Sequence, residues 1–335
     1  MIVKHRNIPL KVHFNQALAR RLPIHHPKLP QIENDSRMKM SGHHGEVQTD
    51  FHLQFLDDKE HFIFRGLRLP HSDHHFQIDT LILSRKFIPI IETKNMGGSL
   101  NIDWHQFSRS EETGEKGYNN PLLQVTRHKE QFQDWLASHR FERLPIFTQV
   151  ILSNPSAVIR TKDSRIHQAI CKIDRLKSQI LKQMNSCSTE FLSDRDIRKL
   201  CRLLLKEDSP YFPSLQTSYG ICPSDLKGGV GCPSCCHFGM IRHNRLWLCP
   251  NCLFQSRDAH QDAVLDYFLL IKPTMTNRAF RDFTGISSIK VASNLLAGLN
   301  LPSTGSKKGC IYHRPPHIVS LLEERYLRAM QKTRD

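Results

Sequence analysis

Residues 77–84 read Gln-Ile-Asp-Thr-Leu-Ile-Leu-Ser, and residues 87–94 read Phe-Ile-Pro-Ile-Ile-Glu-Thr-Lys. Both runs are rich in the aliphatic and aromatic residues that favour strands, so they predict the two strands of a hairpin. With the turn centred midway between the runs, Asp79 lies directly opposite Glu92. Directly opposed side chains have Cβ atoms about 4.5–5.5 Å apart, so the two carboxylates are predicted to share one cation.

Side chains alternate between the faces of a strand, which puts Lys94 on the same face as Glu92. Two carboxylates supply the hard oxygen ligands that Mg²⁺ or Mn²⁺ prefers, and a nearby ammonium group can stabilise developing negative charge. The spacing alone also fits a simpler reading, in which Asp79 and Glu92 are neutralised by a lysine at a sheet edge. Pro89 cannot donate a ladder hydrogen bond, so the second strand is expected to pair fully only from Ile90 onward.

The flanking sequence predicts alternating helices and strands. A helix is expected to begin at an N-cap Ser41, and another is expected to open at Pro121. Further strands are predicted at residues 61–69, where Pro70 ends the run, and at residues 147–152, while residues 164–206 have a helical and basic pattern.

The combination of these motifs resembles the nuclease-related domain called NERD over about residues 40–155. The resemblance rests on Gly45-Glu46, Gln77-Ile78-Asp79, Ile91-Glu92-Thr93-Lys94-Asn95, Gly97-Gly98, Asn120-Pro121-Leu122, Gln124 and Arg127-His128. NERD is placed in the PD-(D/E)xK nuclease superfamily, so the resemblance implies a restriction-endonuclease-like α/β core. Ile78 stands where that superfamily commonly has proline.

The resemblance also implies roles for individual residues at this site. Asp79 and Glu92 would be the principal ligands of Mg²⁺ or Mn²⁺, Glu46 an additional metal ligand or acid, and Lys94 the catalytic lysine. Gln124 matches the glutamine on the helix after the core strands, where it would orient the site.

A doubled CxxC pattern predicts a second kind of metal site. Cys232, Cys235, Cys249 and Cys252 can form two knuckles that close a tetrahedral, structural Zn²⁺ site, as in a zinc ribbon. The alternatives are unrelated core cysteines or a redox pair. The neighbouring Cys236 and His237 are left out because four thiolates already fill the site. Five other cysteines are expected to be small, buried apolar residues: Cys171, Cys187, Cys201, Cys222 and Cys310.

The C-terminal sequence predicts a helix-turn-helix that resembles a winged helix. Helices are expected after the N-caps Thr276 and Ser288, with a turn at Gly285 between them and with Val291, Leu295 and Leu299 facing inward. A major groove would then be contacted by Ser288, Lys290, Ser293 and Asn294, and phosphates by Lys307, Lys308 and Arg314. The alternative is a helical bundle with a solvated polar face. The last helix, from residue 318, would cap the module or pair two copies of the chain as a homodimer.

The charge of the chain supports this division. The sequence carries 47 Lys and Arg against 32 Asp and Glu, a net charge of +15, which suits a partner with a phosphate backbone. The surplus is carried by the flanking segments, whereas the nuclease-like stretch is close to neutral. The predicted organisation is a basic N-terminal segment, a NERD domain, a basic helical region with a linker, a zinc ribbon and a helix-turn-helix module (1–36, 37–159, 160–229, 230–256 and 257–335).

These patterns predict a metal-dependent nuclease that hydrolyses DNA and grips it through accessory domains. A non-catalytic nucleic-acid-binding protein or regulator with a degenerate nuclease fold is the alternative, and a scaffold protein is a weaker third reading. No apolar run reaches the roughly 18 residues of a membrane helix, and the first residues lack the apolar stretch of a signal peptide. A cytoplasmic protein with nucleic acid as its partner, and no membrane contact, is therefore expected.

Overall fold

A computed structural model describes residues 1–56, 59–141 and 144–332 of the 335-residue chain. The elements of the first half follow in chain order: β1 (Ile2–Lys4), α1 (Leu10–Arg21), α2 (Leu29–His52), β2 (Phe62–His71), β3 (His74–Leu83), β4 (Ile88–Lys94), β5 (Gly98–Ile102), β6 (Phe107–Glu111), β7 (Gly114–Gly117), α3 (Pro121–Ser138), β8 (Ile146–Leu152) and β9 (Ala157–Arg160).

The second half adds further short elements. They are α4 (Ile166–Ala169), β10 (Ile170–Lys172), α5 (Leu176–Asn185), α6 (Asp194–Glu207), α7 (Leu215–Tyr219), β11 (Ile241–His243), β12 (Leu246–Leu248), β13 (Gln255–Ser256), α8 (His260–Leu270), β14 (Thr274–Thr276), α9 (Asn277–Thr284), α10 (Ile289–Ala297), β15 (Ser303–Thr304), β16 (Ile311–His313) and α11 (Ile318–Lys332). None of the helices in the described ranges is both long enough and apolar enough to span a bilayer.

The chain divides into two compact units. The first consists of Met1–Asn7 and Ser41–Pro210, and the second of Ile8–Met40 and Tyr211–Asp335. The predicted basic segment 1–36 is therefore split between the units, and the predicted helical region 160–229 is split as well. Its α6 buries three side chains in the core of the first unit, namely Ile197, Leu200 and Leu204.

A six-stranded sheet, in the order β1-β2-β3-β4-β8-β10, forms the centre of the first unit. β3 and β4 are antiparallel, and they pair Thr80 with Ile91 and Leu81 with Ile90, which confirms the predicted hairpin register. β8 and β10 continue the sheet in parallel. β4, near the middle of the sheet, is buried at all but its last residue because its side chains alternate between two apolar clusters, Ile90 in one and Ile91 in the other.

Of two expectations about proline, the one for Pro89 is confirmed and the one for Pro70 is wrong. Pairing between β3 and β4 begins at Ile90, as expected from Pro89, which faces Phe147 of β8. The prediction that Pro70 ends its strand is wrong, because β2 continues to His71 and pairs Pro70 with His75. β1 covers β2 only near Ile63 and Phe64, so the missing N–H of Pro70 faces no third strand.

The helices frame this sheet. In α3, Asn120 caps the first turn by accepting from the Leu122 N–H, and the helix buries the predicted face of Leu122, Val125, Phe132 and Leu136. The expected start of α2 at Ser41 is wrong: the helix begins twelve residues earlier, at Leu29. In that earlier stretch Ile32 is the buried apolar side chain, so the sequence has little helical periodicity there.

Strands also lie where the sequence pattern suggested none. The four strands of a second sheet, in the order β7-β6-β5-β9, lie between residues 98 and 160. The sequence predicted one of them, at residues 100–104, while β8, which also lies in this range, belongs to the first sheet. The continuous helical pattern over residues 164–206 is broken by β10, which pairs in parallel with β8. The tertiary pairing partner overrides the local preference in both cases.

In the second unit, α1, the first part of α2, and α7 to α11 contribute to one apolar core, and two small sheets complete the unit. Thr276 and Ser288 cap α9 and α10 as predicted, and Gly285 ends α9 in the left-handed conformation with φ 77°. The three strands β14, β16 and β15 form one antiparallel sheet in that order.

The predicted buried face of α10 needs a correction. Val291 is 37% exposed, whereas Ala292 and Leu296 are fully buried. The other two predicted residues, Leu295 and Leu299, are half-buried and pack against the core of the second unit, so only Val291 was assigned to the wrong side.

Candidate active site

At Asp79, a hydrogen bond to the side chain takes the place of backbone hydrogen bonds between β3 and β4. The Thr93 N–H donates to Asp79 Oδ2 at 2.9 Å, so the carboxylate lies against β4 beside Glu92. Asp79 is the neighbour of Thr80, which pairs with Ile91, and the same register places Asp79 opposite Glu92. The hairpin therefore brings these two acids together as the spacing predicted.

Lys94 bridges the strand to the neighbouring helix. Its Nζ donates to Glu92 Oε1 at 2.8 Å and to Gln124 Oε1, on α3, at 2.9 Å. The Glu92 side chain is 3% exposed and that of Lys94 is 24% exposed, so the ammonium group reaches solvent while the carboxylate does not. The structure thus joins three of the predicted residues directly.

Glu46 reaches the site from α2, but its partner is an arginine that the sequence did not single out. Arg6 Nη1 donates to Glu46 Oε2, and Arg6 Nε donates to Asp50 Oδ2 at 2.7 Å. The second amino group of Arg6 donates to the backbone oxygen of Asp79 at 2.9 Å and to Thr80 Oγ1 at 3.0 Å. A buried guanidinium therefore ties α2 to the strand that carries Asp79.

Gly45 explains how α2 approaches the sheet edge so closely. A Cβ at this position would lie 2.4 Å from Ser153 Oγ and 2.7 Å from Asn95 Cβ, which are impossible contacts without movement. Asn95 Nδ2 also donates to the carbonyl of Ser41 at 2.7 Å. The residue before Glu46 must be glycine if Glu46 is to face the strand ends.

Two of the acids, Glu92 and Glu46, have raised pKa values. Burial, with the neighbouring charge of Asp79, raises the pKa of Glu92 to about 8 even though Lys94 opposes the shift. Burial and the charge of Asp79 likewise raise the pKa of Glu46 to about 7 against the influence of Arg6. Carboxylates crowded in this way repel one another, and a divalent cation would relieve that repulsion. The donor set therefore fits Mg²⁺ or Mn²⁺.

Two imidazoles flank the acids. His128, one turn along α3 from Gln124, places Nδ1 3.5 Å from Glu92 Oε2. Burial lowers the pKa of His128 to about 4, so the ring is neutral at pH 7. On the α2 side, burial and the charge of Arg6 lower the pKa of His43 to about 4. Neither ring adds positive charge to the site.

Residues 41–153 match the family model of the nuclease-related domain, NERD. This stretch of the chain is therefore similar to nuclease-related domains. The match confirms the resemblance found in the sequence and covers the helix of Glu46, the hairpin and the helix of Gln124. It indicates a nuclease-like function for a domain of mixed α/β structure. No curated protein matches the chain, and no solved structure does either.

Sequence reasoning missed Arg6 and Asp50 at the NERD site. Arg6 lies outside the matched residues, and the contact between it and Asp79 spans more than seventy positions. Asp50 lies on α2, four residues after Glu46, and this helical spacing placed both carboxylates on one face. The α2 spacing was therefore the one usable signal, and nothing in the sequence linked it to residue 6.

The cysteine cluster in the second unit is the more compact of the two candidate metal sites. Sγ of Cys232 lies 3.6 Å from that of Cys252, and Sγ of Cys235 lies 3.6 Å from that of Cys249. A tetrahedron with Zn–S bonds of about 2.3 Å has S–S edges of about 3.8 Å, so these distances fit zinc. Within the described ranges, only these four residues bring three or more His, Cys, Asp or Glu ligand atoms within 4.8 Å of one another.

The two halves of the cluster repeat one backbone arrangement. The residue after each CxxC donates its N–H to the first cysteine's carbonyl at 3.0 Å, Cys236 to Cys232 and Leu253 to Cys249. Both residues have φ near 60°. This repeated turn is consistent with a zinc ribbon, and β11, β12 and β13 form its three-stranded sheet.

The expectation that the other five cysteines are buried holds for only one of them. Cys171 is buried, Cys187, Cys201 and Cys310 are half-buried, and Cys222 is exposed. Cys222 is the N-cap residue of a short 3-10 turn. Residue type alone was a poor guide to burial in these segments.

The predicted groove-contacting residues are exposed on α10, but some of them also have structural roles. Ser288 Oγ accepts from the Val291 N–H as the helix cap, and Ser293 Oγ accepts from Asn277 at 2.9 Å. Lys290 and Asn294 are exposed as well.

The predicted phosphate-contacting residues differ among themselves. Lys307 and Lys308 are exposed between β15 and β16. Arg314 instead stacks on the ring of Phe212, with Cζ 3.4 Å from the ring centroid. Its half-buried guanidinium is thus partly committed to packing.

Proposed function

We propose that the chain is a metal-dependent nuclease that hydrolyses phosphodiester bonds of DNA. The observation that carries the proposal is the convergence of Asp79, Glu92, Lys94 and Gln124 at one end of the β3–β4 hairpin. An inert ion pair at a sheet edge would need one acid and one lysine. Here a second, half-buried acid, Asp79, leaves the cluster short of positive charge, which suits a divalent cation and a phosphate.

The proposed roles follow from these contacts. Asp79 and Glu92 hold Mg²⁺ or Mn²⁺, and Glu46 is the third carboxylate beside them. The ion, when bound, lowers the pKa of a water and offsets negative charge on a phosphoryl oxygen. Lys94 presents its partly exposed ammonium group to the phosphate, and Gln124 fixes the position of Lys94 Nζ at 2.9 Å.

The remaining modules are proposed to hold the nucleic acid. The four cysteines bind a structural Zn²⁺, and α9, its turn and α10 act as a helix-turn-helix with the β15–β16 loop as a wing. Lys290, Lys307 and Lys308 are the exposed cations of this module, and they suit contacts with phosphates. In this scheme residues 37–159 cleave the nucleic acid, and residues 257–332 bind it.

The proposal is tested with linear, supercoiled and single-stranded DNA, each incubated with Mg²⁺, Mn²⁺ or EDTA. The wild type is expected to cleave at least one form in a metal-dependent manner, and Asp79→Ala and Lys94→Ala are each expected to lose the activity. The matched controls are Asp174→Ala and Lys162→Ala, which change exposed residues of the same unit.

Equal cleavage by the wild type and both site variants would refute the catalytic assignment. Tight binding of every DNA form without any cleavage would instead support a non-catalytic nucleic-acid-binding protein. A ribonucleotide version of the single-stranded substrate shows whether DNA or RNA is preferred.

A further inference from the structure

Arg6 occupies the side of the acidic cluster that faces α2. It follows β1, whose parallel pairing with β2 at Ile63 and Phe64 brings the N-terminal segment to the sheet edge. The Arg6 side chain is only 5% exposed. Burial by itself would lower its pKa, but the hydrogen bond to Asp50 and the charge of Glu46 outweigh burial and raise it. Arg6 is thus a permanent buried cation.

The contacts of Arg6 use both ends of the guanidinium. Nε and Nη2 grip the two oxygens of Asp50 at 2.7 and 3.0 Å, and Nη1 donates to Glu46. Nη2 also reaches the Asp79 carbonyl and Thr80 Oγ1. Such a paired, planar arrangement fixes the geometry of both acids, which a lysine could not do with its single ammonium group.

With each acid counted as ionised, the state that a bound cation favours, formal charges divide the cluster into two parts. On the α2 side, Glu46 and Asp50 are matched by Arg6 and by Arg65, whose Nε lies 3.2 Å from Asp50 Oδ1. This part is neutral without any metal.

On the strand side, Asp79 and Glu92 are opposed by Lys94 alone, which leaves one negative charge in excess. Only this part attracts a divalent cation, because a neutral ion-paired group offers no net charge to a second one.

We propose that Arg6 takes the place of a second metal ion, so that the site binds one divalent cation per chain and not two. This inference rests on the proposed function, since it assigns the ion to Asp79 and Glu92. Arg6 is a positioning residue: it holds Glu46 and the backbone of Asp79 and touches neither the ion nor the substrate.

The test counts Mn²⁺ bound per chain by calorimetry and by electron paramagnetic resonance of the full-length, zinc-loaded protein. The wild type and Arg6→Lys are expected to bind one Mn²⁺, because both keep a cation beside Glu46. Arg6→Gln exposes the charge of Glu46 and Asp50, so it is expected to bind two. Two ions about 3.5–4 Å apart would broaden the Mn²⁺ spectrum through their coupling.

Two Mn²⁺ in the wild type, or one in folded Arg6→Gln, would overturn the inference. Should Arg6→Gln not fold, Glu46→Gln decides: retention of one Mn²⁺ supports the inference, and loss of Mn²⁺ overturns it. A wild type that binds no Mn²⁺, or one ion that persists in Asp79→Asn, would contradict the proposed function itself. Failure of the inference and failure of the proposed function therefore give different counts.

Discussion

The two candidate metal sites of this chain are built in opposite ways. In the second unit, four thiols from two repeated turns already lie within 4.8 Å of one another. In the first unit, the acids at the sheet edge are engaged by protein cations, Glu46 by Arg6 and Glu92 by Lys94, and they do not form so compact a group.

This difference reflects what each site does with its ligands. Four thiolates around zinc leave no free coordination position, which makes the metal part of the fold. Arginine and lysine partly neutralise the carboxylates of the first unit, so the fold around them is stable without a metal. A metal bound there can therefore exchange with solvent. Loss of a structural ion therefore unfolds the domain around it, whereas loss of a catalytic ion stops only the reaction.

Removal of the cysteine ligands is expected to have the largest effect. Structural zinc contributes about 10 kcal/mol or more to the folding of small zinc domains. Cys232→Ser with Cys249→Ser should abolish zinc binding and unfold the ribbon, as read from the zinc:protein ratio and from thermal unfolding. Cys222→Ser, at an exposed thiol outside the cluster, is the control and should match the wild type. Full zinc occupancy in the double variant would refute the assigned ligands.

Asp266, in the second unit, is a buried acid like Glu92, but three arginines surround it. Arg21 Nε and Arg325 Nη1 each lie 2.7 Å from its oxygens, and Arg20 Nη2 lies at 3.1 Å. Asp266→Asn leaves Arg21 buried without its charge partner, which should cost about 3–5 kcal/mol of unfolding free energy. Urea unfolding followed by circular dichroism measures the change. In the control Asp262→Asn the lost ion pair is exposed, and a change of about 1 kcal/mol or less is expected.

The same residue predicts a pH dependence. Burial opposes ionisation of Asp266, but the charges of its three arginines prevail and lower the pKa to about 2. A depressed folded pKa gives stability that is present above the unfolded value of 3.8 and is lost as the pH falls towards 2. Asp266→Asn should therefore flatten the acid limb of the stability curve between about pH 4 and pH 2. An unchanged acid limb would contradict this account.

Asp79→Asn is expected to separate metal binding from folding. The asparagine oxygen can still accept from the Thr93 N–H, and loss of one negative charge relieves repulsion with Glu92, so stability without metal should change by about 1 kcal/mol or less. Wild-type protein should gain about 1.4 kcal/mol at a Mg²⁺ concentration ten times Kd, and the variant should gain nothing. Thermal shift with and without Mg²⁺ measures both, and Asp174→Asn is the matched control.

The smallest effects are expected at the exposed loop between β15 and β16. Lys307→Gln with Lys308→Gln should weaken DNA binding and reduce the slope of log K against log salt by about 2, since each phosphate contact contributes about 0.9. Fluorescence anisotropy at several salt concentrations measures the slope. Lys28→Gln with Lys39→Gln removes the same charge elsewhere in this unit and should leave the slope closer to that of the wild type.

The sequence predicted the parts that depend on local spacing. The register that faces Asp79 with Glu92, the helix caps at Asn120, Thr276 and Ser288, and the cysteine pairs all follow from short-range rules of strand, cap and knuckle geometry. Each of these features is encoded within about twenty residues.

The parts that escaped prediction depend on distant contacts. Arg6 meets Glu46 forty positions later, β10 becomes a strand because it pairs with β8, and α10 buries Ala292 rather than Val291 in the core of the second unit. Periodicity carries no information about such partners.

We propose above all that the site on β3 and β4 cleaves DNA with a divalent cation held by Asp79 and Glu92. The most direct test is the single-turnover rate of supercoiled DNA cleavage by the wild type and Asp79→Asn, each with Mg²⁺ and with EDTA. We predict that the wild type cleaves only with Mg²⁺ and that Asp79→Asn is slower by at least about 100-fold, which corresponds to about 2.7 kcal/mol. Equal rates for the two proteins in Mg²⁺, or wild-type cleavage that survives EDTA, would contradict the claim.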